Sequence, residues 1–131
     1  MNLSDILERI ELKYDELINI CNPRTGDCGS LAYAIQEQYG GELIGIYAEK
    51  NDMLPKHIVV LINDTYIDID GTATEYQLYN EYISPYTTDT TNENEILNAH
   101  FKSNQDKKIH GVMFDEILIR KIKTILESDV E

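Results

Sequence analysis

The sequence is poor in basic residues, and this shortage excludes several classes of partner. Lys and Arg number 11 in 131 residues, against 24 Asp and Glu, so the formal net charge is −13. A surface of this charge repels nucleic-acid phosphates and anionic lipid headgroups. We therefore expect neither nucleic acid nor a membrane as a partner, whereas a basic protein or peptide would be attracted.

Cysteine and long apolar stretches are also scarce. The two cysteines, Cys21 and Cys28, are too few for a disulfide framework or for a structural zinc site built from thiols. The longest apolar run, residues 58–62, is far too short to cross a bilayer, and the first residues show no apolar signal-peptide core. These absences predict a cytoplasmic protein.

Metal ligands do not recur at a recognisable spacing anywhere in the sequence. His100 and His110 lie in a stretch without a clear pattern, where a surface position is the commoner outcome for a histidine. We therefore expect no metal ion and no cofactor.

The order of apolar patterns predicts one α+β domain spanning residues 1–131. Apolar residues at helical spacing predict helices over 3–20, 28–39 and 114–128, with Ser4 or Asp5 capping the first. Extended patterns rich in β-branched residues predict strands over 42–48, 57–62 and 65–70, the last closed by Gly71. We expect the N-terminal helices to pack on a small antiparallel β-sheet.

The stretch from 72 to 108 is less specific. Its tyrosines are spaced mostly by three, which fits either one face of a short helix or a loop that packs its rings inward: Tyr76, Tyr79, Tyr82 and Tyr86. Residues 93–102 fit a short helix. Of all the tyrosines, Tyr47 and Tyr66 are the ones we expect beside a cleft, because each lies on a predicted strand.

Residues 57–62 and 65–70 are separated by a two-residue polar turn, which is the usual signal of a β-hairpin. With the turn centred on residues 63 and 64, residues whose numbers sum to about 127 face each other. His57 therefore lies opposite Asp70 and diagonal to Asp68, and all three side chains share one face of the hairpin.

Cys28 is predicted to open a helix, where unpaired N–H groups and the positive end of the helix dipole stabilise a thiolate. His57 opens the predicted central strand, and a carboxylate stands at the end of its partner strand. This set is suited to nucleophilic catalysis, in which imidazole takes the thiol proton and the carboxylate orients the ring. The backbone N–H of Cys28 and the side-chain amide of Asn22 are candidate oxyanion donors.

Each of these residues also has a plainer structural interpretation. A lone cysteine such as Cys28 is most often a buried apolar thiol, and Cys21, at an apolar helix end, fits that role best. His57 alone would be an ordinary strand-end residue, and Asp68 and Asp70 alone would be turn residues. The combination favours a site, because each residue type falls at the element end that the mechanism requires.

Three segments resemble the papain-like superfamily of thiol enzymes, taken broadly to include cell-wall endopeptidases and transglutaminases. They are GDCGSLA at 26–32, HIVV at 57–60 and YIDIDG at 66–71. The resemblance implies a papain-like fold with Cys28 as nucleophile, His57 as base and Asp68, rather than Asp70, as the residue that orients the base. Asn22 stands where papain-like peptidases carry an oxyanion-hole glutamine. The chain lacks the tryptophan that many members place beside the cysteine.

These features predict a cysteine hydrolase or acyltransferase that uses a Cys-His-Asp triad on a protein or peptide substrate. Peptidase, isopeptidase, deamidase and transglutaminase chemistry share the acyl-enzyme, so the sequence does not rank them. The alternative is a non-catalytic acidic binding module or inhibitor on the same fold. The charge of −13 favours that alternative, and the complete triad opposes it.

Overall fold

The β-branched segments pair into one five-stranded antiparallel sheet in the computed structural model, which describes residues 2–23, 26–88, 100–103, 112 and 114–128. The strand order is β4-β3-β2-β1-β5. Each strand runs antiparallel to its neighbours in the sheet. The strands are β1 (Glu42–Ile46), β2 (His57–Ile62), β3 (Thr65–Asp68), β4 (Gly71–Ala73) and β5 (Phe101–Ser103). The predicted α+β class with an antiparallel sheet is confirmed.

The helices in chain order are α1 (Leu3–Leu12), α2 (Tyr14–Ile20), α3 (Cys28–Tyr39), α4 (Glu75–Leu78) and α5 (Glu116–Glu127), and a π-helical turn (Tyr79–Ile83) follows α4 directly. The helices predicted at 28–39 and 114–128 are confirmed, the second with slightly shorter bounds.

The prediction of one helix over 3–20 is wrong, because the backbone breaks at Lys13 (φ −98°, ψ 7°). Lys13 is 6% exposed, and its ammonium lies 3.7 Å from the Glu16 carboxylate. The N-cap of α1 is Asn2, whose side chain accepts from the N–H of Asp5, rather than Ser4 or Asp5.

The sheet is covered on both faces. Helices α1, α2, α3 and α5 pack on one face and form the larger apolar core. A smaller cluster covers the other face, where Leu78 of α4 and Ile83 of the π-helical turn pack on Ile44, Ile46 and Val59. The central strand β2 is therefore buried on both sides, as its continuous apolar pattern indicates.

The β2–β3 hairpin has the predicted register. Its turn residues Asn63 and Asp64 have φ values of 49° and 62°, as a type I′ turn requires. Ile62 pairs with Thr65 and Val60 with Ile67, so the numbers of paired residues sum to 127.

The second hairpin strand is shorter than expected. β3 ends at Asp68, residues 69 and 70 turn, and Gly71 (φ 98°) opens β4 instead of closing β3. The prediction of a strand over 65–70 is therefore wrong at its end. This turn removes Asp70 from the position opposite His57 that the register alone would give it.

The start of α3 is held closely against the sheet. A Cβ atom at Gly29 would lie 3.1 Å from Ile58 Cδ1 and 3.1 Å from Val112 Cγ1, so glycine permits this approach. Ser30, which is 3% exposed, accepts a hydrogen bond from the N–H of Asp115 at 3.2 Å. The first turn of α3 is thereby fixed to both β2 and the N-terminus of α5.

The C-terminal half departs from the sequence-based expectations. Phe101–Ser103 forms a strand, so the predicted helix over 93–102 is wrong at its end, while residues 93–99 lie outside the described residues. His100 is fully buried rather than on the surface, and its Nδ1 donates to the carbonyl of Tyr47 at 2.7 Å. His110 also lies outside the described residues. Within the described helices, none combines the length and apolar character needed to span a bilayer.

Candidate active site

His57 and Asp68 form a hydrogen-bonded pair where β2 begins and β3 ends. Nε2 of His57 lies 3.0 Å from Oδ2 of Asp68. The ring nitrogen is the donor, because a carboxylate oxygen only accepts. The two side chains are 1% and 11% exposed, so the pair is largely shielded from water.

The Asp68 carboxylate is oriented by the turn that follows it. Its second oxygen, Oδ1, accepts from the backbone N–H of Asp70 at 2.8 Å. One oxygen is thus fixed by the chain and the other faces His57. Asp70 acts on the site through its main chain, and the structure brings His57 to Asp68 although the hairpin register points to Asp70.

Cys28 is the first residue of α3 and lies beside the same imidazole. Its interaction with His57 raises the histidine pKa. Because Nε2 is engaged by Asp68, Nδ1 is the buried ring nitrogen left for Cys28, whose hydrogen bond and charge both act to raise the His57 pKa. Cys28 itself is partly exposed. The His57 residue, by contrast, is 1% exposed.

The charge on His57 follows from this placement. Burial acts to lower the His57 pKa, since a buried imidazolium loses hydration. The hydrogen bond to Asp68 and the interaction with Cys28 act in the opposite direction and raise the pKa to about 9. The imidazole is therefore protonated at neutral pH and places a positive charge beside the sulfur.

Tyr82 completes the environment of His57. Its ring stacks on the imidazole with centroids 4.3 Å apart and planes 12° apart. Tyr82 belongs to the π-helical turn, on the sheet face opposite α3. Tyr82 was not predicted as a site residue, because the tyrosine spacing fitted either one face of a short helix or a loop that packs its rings inward.

The loop before α3 is closed by two hydrogen bonds between Asn22 and Asp27. The N–H of Asn22 donates to Asp27 Oδ2 at 2.7 Å, and the N–H of Asp27 donates to the Asn22 carbonyl at 3.0 Å. The Asp27 side chain makes no capping bond to the first turn of α3. Asn22 is thereby held near Cys28 as an exposed residue.

The tyrosines expected beside the cleft have other contacts. The Tyr66 hydroxyl donates to Glu75 Oε1 at 3.1 Å, and Tyr47 packs in the larger core with the ammonium of Lys102 4.6 Å from its ring centroid. Within the described part of the chain, no group of three or more His, Cys, Asp or Glu side chains is arranged to hold a metal ion.

Comparisons with known proteins add no relative: no protein-family model, no curated protein and no solved structure matches the chain significantly.

Proposed function

We propose that the protein is a thiol-dependent acyl-transfer enzyme in which Cys28 is the nucleophile, His57 the general acid and base, and Asp68 the residue that orients His57. The proposal rests on one observation, which is that the His57 imidazole has two partners, Asp68 and Cys28. Asp68 takes Nε2 at 3.0 Å, and Cys28, which is partly exposed, acts on the same ring through a hydrogen bond and through its charge. A purely structural histidine needs no thiol on its second nitrogen.

In the acylation step, the Cys28 thiol proton resides on His57, and the sulfur attacks the carbonyl carbon of an amide. A C–S bond forms and the carbonyl oxygen becomes an oxyanion. The N–H groups of the first turn of α3, which Cys28 opens, and the side-chain amide of Asn22 are the candidate donors to this oxyanion. The C–N bond then breaks, and the leaving amine takes its proton from the imidazolium, which leaves a thioester on Cys28.

In the deacylation step, neutral His57 accepts a proton from an incoming nucleophile that attacks the thioester carbonyl. The C–S bond breaks and the Cys28 thiol is restored with that proton. Water as the nucleophile gives peptidase, isopeptidase or deamidase chemistry, and an amine gives transglutaminase chemistry. The residues of the triad serve each of these reactions equally.

A papain-like fold belongs to the same proposal. In the resemblance noted from the sequence, a helix opened by the cysteine packs on a sheet whose strands carry the histidine and the acidic residue. Here α3 begins at Cys28 and packs on β2, and β2 and β3 carry His57 and Asp68. This agreement supports the proposed architecture.

The substrate class that fits best is a basic protein or peptide. The chain carries a net charge of −13. A groove of about 560 Å³ borders Asp68 and is lined by further acidic and polar side chains, among them Asp70, Gln77 and Glu81. A cationic segment would be attracted to this side of the molecule.

The proposal is tested with p-nitrophenyl acetate, an activated acyl donor whose release of p-nitrophenolate reports acyl-enzyme formation. We expect a burst stoichiometric with protein and an acetyl group on Cys28, located by peptide mapping. Cys28→Ser should abolish the burst, and Cys21→Ser is the matched control that should retain it.

An absent burst, or a burst that survives in Cys28→Ser, contradicts the proposal. The non-catalytic acidic binding module would then be the better account, since it needs the charge and not the thiol. If the burst is present, basic peptides with a scissile peptide bond, an isopeptide bond or a glutamine side chain separate the reaction types.

A further inference from the structure

The segment from Tyr79 to Thr88 contacts the His57 imidazole near one end and the Glu49 carboxylate at the other. At its start, the π-helical turn places the Tyr82 ring on His57. At its end, Thr87 and Thr88 are bonded to Glu49, which follows β1. The segment lies over the sheet face that carries His57 and is fixed to the molecule at both ends.

The Glu49 carboxylate accepts three hydrogen bonds from this segment. The N–H and the hydroxyl of Thr88 donate to Oε1 at 2.6 and 2.9 Å, and the Thr87 hydroxyl donates to Oε2 at 3.3 Å. Hydrogen bonds to a charged acceptor are stronger than those between neutral groups. We call this set of bonds the Glu49 clasp.

The residues between the clasp and Tyr82 have little freedom. Ile83 is fully buried against the sheet, and its carbonyl accepts from the N–H groups of Tyr86 and Thr87 at 3.0 and 2.8 Å. The ammonium of Lys56 lies 4.5 Å from the ring centroid of Tyr86. The clasp and Tyr82 are therefore joined by a continuous series of contacts.

The Tyr82 hydroxyl stays protonated, and its ring neutral, at neutral pH. Burial, followed by the negative charge of Glu81 and then of Asp68, raises its pKa. The ring therefore acts as an uncharged cover and not as a base. It covers the imidazole, whose other neighbours are Cys28 on α3 and Asp68 on β3.

We propose that Tyr82 is a positioning residue, which holds the His57 ring so that Nε2 meets Asp68 and Nδ1 meets Cys28, and that the Glu49 clasp keeps Tyr82 in place. This inference rests on the proposed acyl-transfer function, because a shielded and oriented imidazole matters only where its proton is transferred. The stacked ring also keeps water from the hydrogen bond between His57 and Asp68.

The test measures the rate at which the His57 Nε2 proton exchanges with water, by NMR, with the signal assigned by its loss in His57→Gln. We expect Tyr82→Leu to increase this rate about tenfold or more and to slow acylation by p-nitrophenyl acetate about tenfold, because a misplaced catalytic group loses rate steeply. Tyr82→Phe keeps the stacked ring and should match the wild type in both measurements.

The clasp is tested with Glu49→Ala, which retains both the Tyr82 and the His57 side chains and so also serves if Tyr82→Leu does not fold. Its matched control is Glu42→Ala, since Glu42 lies at the other end of β1 and accepts a hydroxyl hydrogen bond from Ser103 at 3.0 Å. We expect faster proton exchange in Glu49→Ala, no change in Glu42→Ala, and no further increase when Glu49→Ala is added to Tyr82→Leu.

Unchanged exchange and acylation in Tyr82→Leu would overturn the proposal, as would a full additional effect of Glu49→Ala in that background. The exchange measurement does not depend on acylation. A wild type that fails to acylate but shows the expected exchange pattern would therefore refute the acyl-transfer function, while the positioning of His57 by Tyr82 would stand as a structural result.

Discussion

Cys21 and Cys28 stand at the two ends of one loop, and they differ in the helix end to which they belong. Cys21 follows the last turn of α2, where its Sγ donates to the Leu17 carbonyl at 3.2 Å. Burial, followed by the negative charge of Asp27, raises the pKa of the Cys21 thiol to about 11. Cys28 opens α3, with protonated His57 beside it.

Burial and a nearby carboxylate oppose ionisation of Cys21, and the two thiols also meet opposite ends of a helix dipole. A helix C-terminus presents carbonyl oxygens, which accept a thiol proton and repel a thiolate. A helix N-terminus presents N–H groups, which attract negative charge. A separation of seven residues along the chain is enough to put one thiol in each environment.

The largest effect expected is selective alkylation. Iodoacetamide at pH 7 should modify Cys28 in the folded protein at least about a hundredfold faster than Cys21, because a thiol with a pKa near 11 is thiolate in only about one molecule in ten thousand at that pH, against a few per cent for an ordinary thiol. Peptide mapping after timed quenching measures both rates. Equal rates in the folded protein would remove the distinction between the two helix ends.

The pH dependence of the free energy of unfolding tests the charge assigned to His57, the residue beside Cys28. Its pKa is raised from 6.5 to about 9 in the folded state, so folding favours the protonated ring. The resulting stabilisation is complete below pH 6.5 and is lost as the pH rises through 9, by about 3 kcal/mol in total. Urea unfolding of the wild type and His57→Gln at pH 6 and pH 9.5 measures it, since groups common to both proteins cancel in the difference.

Serine variants of the two cysteines test how much of this pH dependence comes from Cys28. Cys28→Ser should reduce the pH-dependent difference, because part of the His57 shift comes from Cys28, whereas Cys21→Ser should leave it unchanged. Stability that rises between pH 6.5 and 9 relative to His57→Gln would contradict the assigned charge on the ring.

Removal of the base His57 should change the reactivity of Cys28 and leave that of Cys21 unchanged. His57→Gln should slow acylation of Cys28 by p-nitrophenyl acetate about a hundredfold, as is usual when a general base is lost. Alkylation of Cys21, measured in the unfolded protein as a reference, should not change. A rate within twofold of the wild type would show that Cys28 reacts without the imidazole.

The smallest expected effect separates the two aspartates. Asp68→Asn should slow acylation about tenfold, because the neutral amide orients the ring less firmly and no longer stabilises the imidazolium. Asp70→Asn retains the backbone N–H that binds Asp68 and should change the rate by about twofold at most. The reverse order of effects would assign the orienting role to Asp70.

The fold was largely predictable where local patterns are strong. The register of the β2–β3 hairpin follows from a two-residue turn and a side-chain period of two, and the start of α3 at Cys28 follows from its apolar stripe. The break at Lys13 was not predictable in this way, because the apolar pattern continues through it. On both sides of the break, apolar side chains of α1 and α2 are buried in the larger core, among them Ile10 and Leu17.

The amino-acid sequence by itself determined which chemical groups are present and near which element ends they fall: a thiol that opens a helix, an imidazole that opens a strand and carboxylates at the end of its partner. The hairpin register placed Asp70 opposite His57 and the resemblance implied Asp68; the tertiary structure brings Asp68 to the ring, because the turn after Asp68 takes Asp70 out of the ladder. It also decided that Tyr82 covers the ring. Contacts of this kind depend on how separate elements pack, and short-range periodicity carries no information about that.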